Sequence, residues 1–119
     1  MGGSGHQVTE LHIFPVHGEA GEDLVEALVE PEGLAGDRRK KAAVQVVAAE
    51  DVRDDTRANI IVSLPSAQLS ELVGWVLRLG AVELEVTGSP SSCPGVYAAV
   101  RVPGTVRVGD SVTTSRERE

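Results

Sequence analysis

The chain holds a single cysteine, Cys93, so no disulfide can form within it, and a reducing compartment such as the cytoplasm is the natural setting. Aromatic residues are nearly as scarce. Phe14, Trp75 and Tyr97 make up 3% of the sequence, so Val, Leu, Ile and Ala must fill the core. No run approaches the roughly 18 uninterrupted apolar residues of a membrane-crossing helix, which points to a soluble protein with no membrane partner. Cations are outnumbered: eleven Lys and Arg against 18 Asp and Glu give a net charge of -7, a balance that repels nucleic-acid phosphates and anionic lipid. The sequence has no phosphate-cradling Gly-rich loop, no G-x-S-x-G elbow and no HExxH zinc motif. His12 and His17 flank Pro15 with no Cys or carboxylate at zinc-site spacing, which argues against a metal site there and leaves His12 as a surface strand residue.

What is present suits one domain, since 119 residues are too few for two full cores. Residues 1–7 are glycine-rich with no apolar segment and are expected to form a flexible tail of the kind an expression vector leaves. Residues 8–114 form the single domain, and 115–119 should fray. Short β-forming runs punctuated by Pro and Gly recur along it. Residues 8–14 end at Pro15, 24–30 end at Pro31, 42–49 are apolar apart from Gln45, and 59–64 end at Pro65. Residues 75–79, 82–86, 96–102, 105–108 and 111–114 complete the series. In 82–86, Glu83 and Glu85 alternate with apolar residues, so one face of that strand is wet. The irregular segments are 32–41, with four consecutive cations, and 50–56, a turn or short helix. Residues 66–73 read as a two-turn helix with Ser66 as N-cap. Seven or eight short strands with one or two short helices predict an all-β, mostly antiparallel fold, curled into a small closed or partly open barrel that removes exposed edges.

Several pieces of sequence, in order, resemble the MOSC domain, a β-barrel family named from the C-terminal region of molybdenum cofactor sulfurases. They are Gly33-Leu34-Ala35-Gly36-Asp37-Arg38, Gln45-Val46, Thr56-Arg57-Ala58-Asn59-Ile60, Leu72-Val73-Gly74 with Leu77-Arg78-Leu79-Gly80, and Leu84-Glu85-Val86-Thr87-Gly88. Cys93 and the closing Val106-Arg107-Val108-Gly109-Asp110 follow. Each is weak alone; their order and spacing carry the resemblance over nearly the whole chain. It implies molybdenum cofactor binding, or sulfur transfer or reduction of N-hydroxylated compounds, with Cys93 as metal ligand or sulfur carrier. A separate redox or sulfur-donor protein would then be a partner. The sequence departs from the family pattern at Arg39, where a histidine often follows the G-D-R, and around Cys93, which has Ser92 before it, Pro94 after it and a neutral 95–99.

The residues have their own chemistry beside that resemblance. A thiolate at Cys93 is both a nucleophile and a soft metal ligand, whereas a free cysteine also serves as a small loop filler. Arg38, Arg39, Lys40 and Lys41 suit the phosphate of a pterin cofactor or another small anionic ligand, or simply a solvated loop. Arg57 can meet an anion or pair with Asp54 or Asp55; Asn59 can fix a ring edge or the loop backbone. Asp37 can orient Arg38 or cap the turn, and Trp75 reads as a core anchor, a rim residue or an aromatic wall. Two functions follow: a cofactor-binding or sulfur-handling domain centred on Cys93, and a noncatalytic binding module for a small anionic ligand or partner protein. A cysteine hydrolase would need a histidine brought to Cys93 and ranks last.

Overall fold

The computed structural model describes residues 6–16, 18–38, 43–53, 56–89 and 95–116. Among them a large sheet is built from β1 (Val8–Ile13), β2 (Glu22–Leu24), β5 (Val44–Ala48), β6 (Ile60–Val62), β7 (Trp75–Leu79), β8 (Val82–Gly88), β9 (Val96–Val102) and β11 (Val112–Arg116). A small sheet holds β3 (Glu26–Glu30), β4 (Gly33–Leu34) and β10 (Gly104–Arg107). The large sheet runs β11-β7-β8-β9-β5-β6-β1-β2 and the small one β10-β3-β4. A bridge between Gln7 and Ser111 brings the β1 end of the large sheet against β11. Gly109 N–H donates to Val8 O and Val8 N–H to Asp110 O, which ties the same seam. The result is the expected mostly antiparallel sheet curled into a half-open barrel.

Strand alternation explains what fills it. In β8, Val82, Leu84 and Val86 are buried and belong to the main core, while Glu83 and Glu85 stay partly exposed, as the alternating pattern requires. The apolar run in β5 has a different cause. β5 and β6 pair in parallel, with Val46 opposite Ile60 and Val47 opposite Ile61. Val46 and Ile60 enter the main core, whereas Val47 and Ile61 join Ala58 in a second small cluster. Burial of both faces turns an alternating sequence into a continuous apolar one.

The strand expected over 24–30 is in fact two. The chain breaks at Val25, whose side is 80% exposed, so that β2 pairs with β1 in the large sheet while β3 pairs with β10 in the small one. No Gly or Pro marks the break. Within the segment expected to be irregular, Gly33 and Leu34 form β4 against β3. The helix is shorter than predicted: α1 spans Ser66–Ser70 and follows a single 3-10 turn at Ala49–Asp51. Ser66 is not its N-cap. Pro65 occupies that position, and the Ser66 N–H donates instead to Glu50 Oε2 at 2.6 Å, so the turn supplies the cap from another part of the chain. At the ends, β11 reaches Arg116, and His6 and Gln7, expected to lie in the tail, are paired: Val112 N–H donates to His6 O, and Gln7 exchanges bonds with Ser63.

Candidate functional site

The alternation that turns Leu11 and Ile13 inward leaves Glu10, His12 and Phe14 on the outer face of β1. There they line a cleft of about 360 Å³ together with Gly21 and Asp23 from β2 and its approach, Ile61 from β6, and Arg53, Thr56 and Arg57 from the segment after the 3-10 turn. The barrel interior is packed with side chains, so the cleft lies outside it, over the β6-β1-β2 end of the sheet.

The cleft has an acidic side and a basic side. On the acidic side, the His12 ring sits between two carboxylates. Its Nε2 is 2.8 Å from Glu10 Oε1 and its Nδ1 2.8 Å from Asp23 Oδ1. Asp23 faces His12 because β1 and β2 pair those two residues in register. On the basic side, the Arg57 guanidinium lies 4.6 Å over the Phe14 ring and donates to Glu19 O at 2.7 Å. Attraction to the ring face and one backbone acceptor hold an otherwise exposed cation in place. Gly21 makes room for the ring, since a Cβ there would collide with Phe14 Cε1 and Cδ1. Arg53 and Thr56 close their turn reciprocally: Arg53 N–H donates to Thr56 Oγ1 at 2.8 Å and Thr56 N–H to Arg53 O at 3.1 Å.

Behind the cleft lies a buried polar knot. Asn59 is fully buried; its Oδ1 accepts from Gln45 N–H at 3.1 Å, and its Nδ2 donates to Asp37 Oδ2 at 3.0 Å and to His12 O at 3.3 Å. Asp37 Oδ1 accepts from Phe14 N–H at 2.8 Å. Asn59 and Asp37 thus fix the backbone that carries His12 and Phe14. Two of these three bonds of the Asn59 side chain go to the backbone, at Gln45 N–H and His12 O, and Asp37 braces the end of β1 at Phe14. Arg38 is exposed and hangs from the same strand end, its N–H donating to Phe14 O at 3.3 Å.

Arg39, Lys40, Lys41 and Cys93 lie outside the described residues, as do Asp54, Asp55 and His17. Gly95 is the first described residue after Cys93 and leads into β9. It has a φ of 98°, and a Cβ on it would strike Val46 O and Val47 Cγ2. Val47 packs with Ile61, the cleft-lining residue of β6, so Gly95 meets β5 on the side that carries Ile61. Trp75 is half-buried against the main core. Sequence reasoning missed Glu10, His12, Phe14 and Asp23. The usable signal was their spacing, with two ionisable residues and an aromatic ring at alternate positions on the wet face of one strand.

No family model and no curated protein matches the sequence. Solved structures do. A hypothetical protein aligns with a TM-score of 0.75 at 16% identity, over 97% of this chain and 68% of its own. The YuaD protein of Bacillus subtilis aligns with a TM-score of 0.71 at 14% identity, over 95% of this chain and 98% of that one. YiiM of Escherichia coli aligns with a TM-score of 0.72 at 16% identity, over 98% and 72%. The chain has the fold of YuaD and YiiM. At such identities the relationship is one of architecture. YuaD and YiiM each match this chain over nearly its whole length, and nearly the whole of YuaD is matched in return, so the half-open barrel is the shared unit. No helix among the described residues is long and apolar enough to cross a membrane.

Proposed function

We propose that this chain is a MOSC-like domain that binds the molybdenum cofactor through its phosphate-bearing pterin at the basic side of the cleft, with Cys93 as the thiolate that ligates the metal or carries sulfur. The observation that carries the reading is the Arg57 guanidinium held over the Phe14 ring in a cleft that also takes in Ile61, the packing partner of Val47, against which Gly95 lies just before β9. Arg57 and Arg53 suit phosphate oxygens, since a guanidinium presents a planar fork of N–H donors. The donor set therefore fits the anionic part of the group. Arg38 is tied near the end of β1 by its N–H bond to Phe14 O, and Arg39 and Lys41 follow it in sequence. Asn59 and Asp37 act one layer behind, by holding the backbone of His12 and Phe14. When bound, the cofactor would supply sulfur transfer or the reduction of N-hydroxylated compounds at the metal. The polypeptide binds and orients the anionic group and offers the Cys93 sulfur.

The test is expression in a host that makes the cofactor, followed by molybdenum analysis and pterin fluorescence of the purified protein. Both signals are expected in the unaltered chain. Arg57→Ala should lower both together, while Cys93→Ala should lose metal more than pterin. Undiminished molybdenum in Cys93→Ala would remove the ligand role.

A second reading, a noncatalytic module of the same fold that holds a small anionic ligand, is favoured by one observation. Arg57 is already held by the Phe14 ring and Glu19 O, contacts that involve neither a metal nor a thiol. A small anion bound in an Arg57-dependent way by protein without molybdenum would select it.

A further inference from the structure

A site for a bare anion has no use for carboxylates, yet Glu10 and Asp23 line the same cleft as Arg53 and Arg57. An anion meeting Arg53 and Arg57 would share the cleft with both negative groups, whose like charge opposes it, most strongly at low ionic strength. The carboxylates are also oriented. His12 engages one oxygen of each, Oε1 of Glu10 and Oδ1 of Asp23, both at 2.8 Å. The second oxygen of each has no hydrogen-bond partner among the described residues. His12 in turn is placed by the register of β1 against β2 and by its own backbone, whose carbonyl accepts from Asn59 Nδ2 and whose N–H donates to Asn59 O. Glu10 and Asp23 are thus held by His12 as Arg57 is by Phe14 and Glu19, and the two sides come from different elements: β1 and β2 supply the carboxylates, and Arg53 and Arg57, after the 3-10 turn, supply the cations.

We propose that the ligand of this cleft is a small zwitterion or amphoteric molecule, whose anionic group meets Arg53 and Arg57 while an ammonium- or amidine-type group meets Glu10 and Asp23. The proposal rests on reading the cleft as the ligand site and narrows the ligand to molecules carrying both charges. Each end supplies what the other would otherwise repel. The paired charges also reject simple anions, a discrimination that a purely basic pocket of the same volume lacks.

The experiment uses the full chain purified without molybdenum, at low ionic strength, with calorimetric titration of matched probes. These are γ-aminobutanoate and ε-aminohexanoate, the corresponding butanoate and hexanoate, and the corresponding alkylamines. At least one amino acid of the series should bind more tightly than its matched carboxylate and its matched amine by about tenfold or more, the scale of one charge-assisted pair. In Glu10→Gln with Asp23→Asn, the zwitterion should fall to the affinity of the plain carboxylate. In Arg53→Ala or Arg57→Ala it should fall to that of the amine. Glu10 and Asp23 are half and nearly fully exposed, so their replacement leaves the fold intact, which circular dichroism of each variant checks. Equal affinity for carboxylate and zwitterion overturns the proposal while leaving an anion site in place. Absence of binding by every probe overturns it as well. Molybdenum content, measured separately on protein from the cofactor-producing host, decides the cofactor reading whichever way these titrations fall.

Discussion

Asn59 is buried and wholly polar, and every described bond of its side chain goes to something that shapes the cleft. Its amide joins β5 at Gln45, β1 at His12 and the turn at Asp37. Removing it takes one bond each from Gln45 N–H, His12 O and Asp37 Oδ2 and leaves a space in the buried layer behind the cleft. Asn59→Ala should therefore cost about 2–3 kcal/mol, read as a lower urea midpoint with an unchanged slope. A variant as stable as the parent would show that the knot is dispensable. Arg57 contrasts with it. It is exposed, its contacts are with a ring face and a backbone carbonyl, and its loss should be felt in ligand affinity far more than in stability. The two residues stand close in sequence and differ in place, one buried and fixing the backbone, the other exposed and lining the cleft.

At the scale of elements, α1 shows how short pieces depend on their neighbours. A helix of five residues has no stability of its own, and its capping partner is Glu50, in the 3-10 turn sixteen residues earlier. Glu50→Ala should cost about 0.5–2 kcal/mol and speed amide exchange in residues 66–70, while Ser66→Ala should leave that exchange nearly unchanged. Equal effects of the two substitutions would mean that Glu50 is not the cap. The same dependence explains which elements could be read in advance. Strands stopped by Pro15, Pro31 and Pro65 were legible because proline ends a ladder by local chemistry. The break at Val25 was not, because 24–30 carries no breaker; the chain divides there only because β2 and β3 find partners in different sheets. Glu50 was illegible as a cap for a similar reason, since capping usually comes from the residue just before the helix. The cleft failed for a third reason. Glu10, His12 and Phe14 look like the wet side of an ordinary strand until β2 brings up Asp23 and the 53–57 segment brings up Arg57. The Arg57 and Asn59 positions were legible as a pair of interest, but not the division of roles between them.

For the whole molecule, the seam between residues 6–8 and 109–112 turns a sheet into a barrel. It consists of bonds that Val8 exchanges with Asp110 and Gly109, the bridge from Gln7 to Ser111, and the bond from Val112 to His6 O. Deleting residues 1–7 should therefore destabilise the fold by about 1–3 kcal/mol more than deleting 1–5, since it removes several backbone hydrogen bonds and opens an edge. Thermal or urea melts of the two truncated chains make the comparison, and identical midpoints would show that the seam carries no weight.

That seam also governs when the protein can finish folding. Its two sides are separated by about a hundred residues of chain, and contacts so distant in sequence form slowly because the intervening loop must be closed first. During synthesis β1 leaves the ribosome long before the segment that seals against it exists. Its outer residues Glu10 and His12, with Phe14 just beyond them, then sit on an unfinished sheet, and the barrel that carries the cleft closes only once residues 109–112 have been made.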